Sequence, residues 1–126
     1  MGSPDSTEHH DLADLLTNSG LAQFGDALLN FAFSLALTEV TGLPKGTKIP
    51  DKVLADAAVK AGLRKFLPRR VGRGDVANSV EALLGYAWLQ KLLTLDEIVD
   101  CLKTESLDRS KDFAQLADLA LERLKK

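Results

Sequence analysis

From Leu21 to Leu37 the chain reads LAQFGDALLNFAFSLAL, an apolar stretch with a helical period on two sides. Leu21, Phe24, Leu28, Phe31 and Leu35 fall on one stripe of a 3.6-residue helix, and Leu29, Phe33, Ala36, Leu37 and Val40 fall on another. Spacings of three and four recur along most of the chain, and period-two alternation never persists beyond a few residues, so the pattern predicts an all-α protein. A first helix over about 11–16 stops near Asn18-Ser19-Gly20. The long apolar helix follows to about Val40, where Gly42-Leu43-Pro44 ends it. Pro50-Asp51 opens a third helix through Val53, Leu54, Ala57, Ala58 and Ala61, closed by Gly62. Residues 64–74, with Pro68, Gly72 and Gly74 among four arginines, read as a short helical turn followed by a mobile basic loop. A fourth helix over about 75–91 carries Val76, Val80, Leu83, Leu84 and Ala87 at core spacing. Thr94 and Glu97 form a capping box for a fifth helix to about Lys103. An amphipathic helix over about 110–124 is expected on the outside of the bundle.

At 126 residues with ordinary apolar and charged fractions, the chain fits one domain over 11–126, after a solvated leader over 1–10. The leader has no apolar core of the kind a signal peptide needs, which places the protein in the cytoplasm as an expectation. The run Leu28 to Leu37 is bounded by Asp26 and Glu39 and falls short of the roughly 20 residues needed to cross a bilayer. It therefore reads as a core helix, with no membrane partner. A single cysteine, Cys101, and two adjacent histidines, His9 and His10, build neither a disulfide framework nor a zinc site. Any metal would be held mainly by oxygen.

Net charge is −2, but its sign is unevenly spread. Between Lys45 and Arg73 a run of lysines and arginines is opposed only by Asp51 and Asp56, while both ends of the chain are acidic. Lys45, Lys48, Arg69, Arg70 and Arg73 are candidates for contact with a phosphate backbone; the alternative is an ordinary solvated face. Aromatics are sparse in this segment, so contact with a duplex backbone fits better than stacking on single strands.

A helix that is apolar nearly all round must be covered nearly all round. In a protein this small, that predicts a homodimer with a two-fold contact through this helix. The one acid between its stripes, Asp26, must be hydrogen-bonded, protonated or metal-bound if buried. It either pairs with an arginine or a helix end, or meets the acid Glu81, which Gly25 and Gly85 would bring near by letting two helices approach closely.

FGDALLNFAFSLAL resembles the signature helix of the ribonuclease III catalytic domain, and ANSVEALLGYAWL resembles that domain's second motif. The likeness covers about Leu12 to Lys103 and is closest to compact forms without a double-stranded-RNA-binding domain, such as Mini-III or archaeal ribonuclease III-like proteins. The resemblance implies a dimeric all-helical domain that hydrolyses double-stranded RNA with magnesium, or manganese, held by carboxylates. It makes Asp26 and Glu81 the catalytic, metal-binding acids. The family usually has a glutamate where this chain has Ala22 and an aspartate where it has Asn78. Asn78 is then expected to offer its carbonyl oxygen to the metal, and Asp75 is the candidate substitute acid. Two functions follow as expectations: a metal-dependent endoribonuclease, or a homodimeric RNA-binding protein of the same fold whose chemistry has been lost. A helical interaction module without RNA is a third reading.

Overall fold

The computed structural model describes residues 11–104 and 107–125; the proposed leader, with His9 and His10, lies outside them. The described residues contain helices and no strand. Helix α1 occupies residues 11–16. It is followed by α2 (Ser19–Thr41), α3 (Asp51–Lys60), a single 3-10 turn (Leu63–Phe66), α4 (Arg73–Leu89), α5 (Leu95–Leu102) and α6 (Arg109–Leu124). Asn18, which the sequence offers as a stop signal, also starts the next helix: its side chain accepts from the Leu21 N–H at 2.9 Å. Gly42 ends α2 at φ 75°, a left-handed conformation that glycine adopts without penalty. The Thr94–Glu97 capping box forms as expected. Arg123 extends it, donating to Glu97 and to the Leu92 carbonyl at 2.8 Å.

Helix α4 runs through the centre. Val76, Ala77, Val80, Leu83, Leu84 and Ala87 are all buried, and α2, α3 and α6 pack around it. Its meeting with α2 is set by two glycines. A Cβ added at Gly25 would lie 1.9 Å from the Glu81 carbonyl oxygen, and one at Gly85 would lie 3.1 Å from the Leu21 carbonyl oxygen. The two backbones touch with no side chain between them.

Three expectations are corrected. Helix α6 does not lie outside the bundle: Phe113, Leu116, Ala117 and Ala120 are fully or almost fully buried, and the helix closes the core against α3, α4 and α5. Its buried face is wide because small residues alternate with large ones, letting the helix sink in. Helix α2, at 23 residues, is long and apolar enough by composition to cross a membrane. What makes it a core helix is its packing, with Ala22, Gly25, Leu29, Ala32 and Ala36 buried against the bundle, and not the length argument. The basic segment after the 3-10 turn is held in place: the Arg64 guanidinium donates to the carbonyls of Pro68 and Arg69 at 2.9 and 2.8 Å.

Gly25→Ala is expected to force α2 and α4 apart, at a cost of about 1–3 kcal/mol or more. Gly85→Ala, with its longer contacts, should cost less. Urea denaturation of the two variants checks the order.

Candidate functional site

Because Gly25 lies against the Glu81 backbone, the next residue on α2, Asp26, arrives beside the Glu81 side chain. Glu81 is only 4% exposed and Asp26 is half-buried. Burial, a hydrogen bond with Asp26 and the Asp26 charge together push the Glu81 carboxyl up to about 8. Asp51, at the start of α3, adds to the shift and Lys48 opposes it. Two carboxyl groups at hydrogen-bond distance cannot both ionise cheaply, which favours the protonated form of Glu81 at neutral pH. Asp26 thus meets another acid, and not an arginine or a helix end.

Two asparagines complete the pair's surroundings. Asn30, one turn along α2, donates from Nδ2 to Asp26 Oδ1 at 3.1 Å while its Oδ1 accepts from the Ile49 N–H at 2.8 Å. Asn78, in the orientation that satisfies its hydrogen bonds, donates its amide nitrogen to Glu81 Oε1 at 3.1 Å and to the Gly74 carbonyl at 3.2 Å. The nitrogen of Asn78, and not the carbonyl oxygen expected to bind metal, therefore faces the acid. Beside it opens a cleft of ≈ 290 Å³, lined among others by Asn18, Ala22, Val71, Asp75 and Asn78. Asp75 is exposed in the first turn of α4 on the cleft wall and is not among the charges that shift Glu81. The sequence reading singled out neither Asn30 nor Asp51 for the site. An Asn one turn from Asp26 was the available signal for the first; nothing local marks the second, which folding delivers from another helix.

Magnesium takes oxygen ligands in near-octahedral geometry, and a hydrolytic metal pair needs several carboxylates. Among the described residues, no group of three or more His, Cys, Asp or Glu side chains stands ready to hold a metal. Ala22 offers no donor and Asn78 presents an N–H, so of the family's four acid positions only Asp26 and Glu81 carry carboxyl groups. This donor set does not fit a paired-magnesium centre.

The five basic candidates are all exposed, and none is ion-paired among the described residues. By contrast, Lys60, Lys103, Arg109 and Arg123 are paired with acids inside the fold. Lys48 is brought close enough to act on Glu81. Arg69 and Arg70 lie on the loop between Pro68 and Val71, which border the cleft, and Arg73 begins α4. Of the five, Lys48 is the one whose charge acts on the acid pair. Cys101 is half-buried with its Sγ 3.5 Å from the Asp112 carbonyl, and burial raises its thiol pKa, which removes it as a nucleophile.

The raised Glu81 carboxyl makes a signed prediction. Between the unfolded value near 4.5 and the folded value near 8 the native state binds more protons than the unfolded state. Stability is therefore full below the unfolded value and is lost as pH rises through the folded one. Glu81→Gln should flatten this fall, so that denaturation midpoints of variant and wild type diverge in the variant's favour from pH 5 toward about pH 9.

Comparison with the curated proteins gives no match. The family model described as Ribonuclease III matches residues 19–125, a span from the start of α2 to the end of α6 that includes both glycines, both acids and the basic segment. With the two helices of the acid pair inside that match, this chain belongs to the ribonuclease III family.

Proposed function

We propose that this protein binds double-stranded or structured RNA through its basic segment, and that its acid pair has ceased to act as a hydrolytic metal centre. The observation that carries this reading is that Ala22 and Asn78 stand in two of the four acid positions, leaving Asp26 and Glu81 as a pair with no third ligating acid grouped with them among the described residues. Family membership supports RNA as the ligand. The exposed, unpaired Lys45, Lys48, Arg69, Arg70 and Arg73 supply charges for a phosphate backbone, read by shape and not by sequence. An acid cluster reduced to two carboxyl groups lessens the repulsion that a full set of carboxylates would direct at nearby phosphates.

Metal-dependent hydrolysis is the second reading, favoured by the contact between the two retained acids beside an open cleft. The two readings separate on a labelled RNA duplex incubated with magnesium, manganese or EDTA. The binding reading expects intact RNA that shifts on a gel, with affinity falling steeply between about 50 and 200 mM salt, and a slope reduced by about 1 for each phosphate contact removed by Arg69→Ala or Arg70→Ala. Cutting that requires metal and disappears in Glu81→Gln would restore the endoribonuclease.

The homodimer belongs to the same proposal. Phe31 is 56% exposed in the middle of α2, and the Phe24 ring lies 5.7 Å from that of Trp88, tilted by 37°, with Trp88 itself 36% exposed, leaving an aromatic face on the outer side of the α2–α4 pair. A two-fold partner presenting the same face would cover it. Phe31→Glu should convert a dimer into a folded monomer, read by sedimentation equilibrium.

A further inference from the structure

Four side chains of α2 hold the chain that follows it. Thr41 Oγ1 accepts from the Leu43 N–H at 3.2 Å as the chain turns back. From there residues 45–49 run antiparallel to the helix, and every second residue is bonded to it. The Lys45 N–H donates to Thr38 Oγ1 at 2.9 Å, and the Thr38 hydroxyl donates back to the Lys45 carbonyl at 3.3 Å. Thr47 makes the same reciprocal pair with Ser34, at 2.9 and 3.1 Å. Ile49 closes the series on Asn30 at 2.8 Å, and Asn30 in turn holds Asp26.

The ladder works because two periods nearly coincide. Asn30, Ser34 and Thr38 are four residues apart on the helix, a rise of about 6 Å per step, while two residues of extended chain advance about 6.6 Å. Three rungs therefore stay in register. In extended backbone the N–H and C=O of alternate residues point to opposite edges. The bonded edge at Lys45, Thr47 and Ile49 thus leaves that of Gly46 and Lys48 facing away from the helix, and both residues are exposed. Ile49, 3% exposed, anchors the far end in the core. The segment is a loop by composition but a pinned strip by bonding, and it ends at the acid pair.

We propose that Ser34 and Thr38 are positioning residues for RNA: through this ladder they fix Lys45 and Lys48 on the two faces of a strip that leads toward Asp26, making residues 45–48 a rigid phosphate-docking edge. This rests on the RNA-binding reading above. Left free, a loop of this length would have to be ordered at each encounter; the rungs meet that cost at folding, and the two lysines are rooted about 10 Å apart along the strip, one on each face. The outward N–H groups of Gly46 and Lys48 offer two further donors to phosphate oxygens on the same edge.

The test compares wild type, Ser34→Ala/Thr38→Val, Lys45→Ala/Lys48→Ala and the fourfold combination, titrating a labelled long RNA duplex over a salt series. Asn30 is kept because it also holds Asp26. Circular dichroism and amide exchange establish that the bundle stays folded while the Lys45 and Thr47 N–H groups lose protection. The expected result is a salt slope reduced by about 1 to 2 in the ladder variant, little further loss when the ladder substitutions are added to the lysine variant, and rescue by Ser34→Thr/Thr38→Ser. Wild-type binding with an unchanged slope in the ladder variant overturns the inference while leaving RNA binding standing. So does a loss that adds fully to that of the lysine variant, since a merely structural ladder would act independently of the lysines. No wild-type binding at low salt overturns the RNA reading and the inference together.

Discussion

The contact of two helix backbones at Gly25 and Gly85 governs most of what this molecule presents. Where a Cβ at residue 25 would fall 1.9 Å from the Glu81 carbonyl oxygen, no side chain of any size can keep α2 and α4 as they are. The approach brings Asp26 to Glu81 and buries the middle of α4. It also turns the opposite side of α2, with Phe31, outward. The two glycines thus set the site and the exposed aromatic face in a single packing event, and the two cannot be varied independently.

The acid pair is electrostatically unusual because its nearest compensation is weak. Lys48 is the one cation among the charges that shift Glu81, and it is exposed; Asp26 and Asp51 both oppose ionisation. A proton on Glu81 is the simplest countercharge for the pair. The neighbouring amides suit that state. Asn78 donates to Glu81 and Asn30 to Asp26, so each carboxyl retains a hydrogen-bond donor. An aspartate in place of Asn78 would add a third negative charge and remove the donor. The asparagine is therefore consistent with a centre arranged around a proton.

Legibility from sequence divides along physical lines. The all-α class, the helix order and the capping box were readable because they depend on local periods and on side chains within four residues of their targets. Asp26 and Glu81 were readable as a pair because each lies next to, or one turn from, a glycine in an otherwise apolar helix, a local signal of backbone contact. The position of α6 was misjudged: amphipathicity identifies a buried face but not how deeply it sinks. Asp51 and the amide orientation of Asn78 were out of reach, since both depend on which helix arrives opposite.

The ladder along α2 shows the boundary most clearly. Its residues, Asn30, Ser34 and Thr38, look like ordinary breaks in an apolar stripe, and residues 45–49 look like an unstructured loop rich in Gly, Thr and Lys. Neither segment alone implies the other, because the match between a helical rise over four residues and an extended rise over two has meaning only once the chain has turned at Gly42 and lies along the helix. The sequence by itself determined the helices, their caps, the two acids and the supply of cations, all of which follow from interactions within a few residues. The tertiary structure alone decided that burial beside Asp26 pushes the Glu81 carboxyl up and that Lys48 acts on it from a pinned strip, because burial and charge proximity are properties of segments that meet in space.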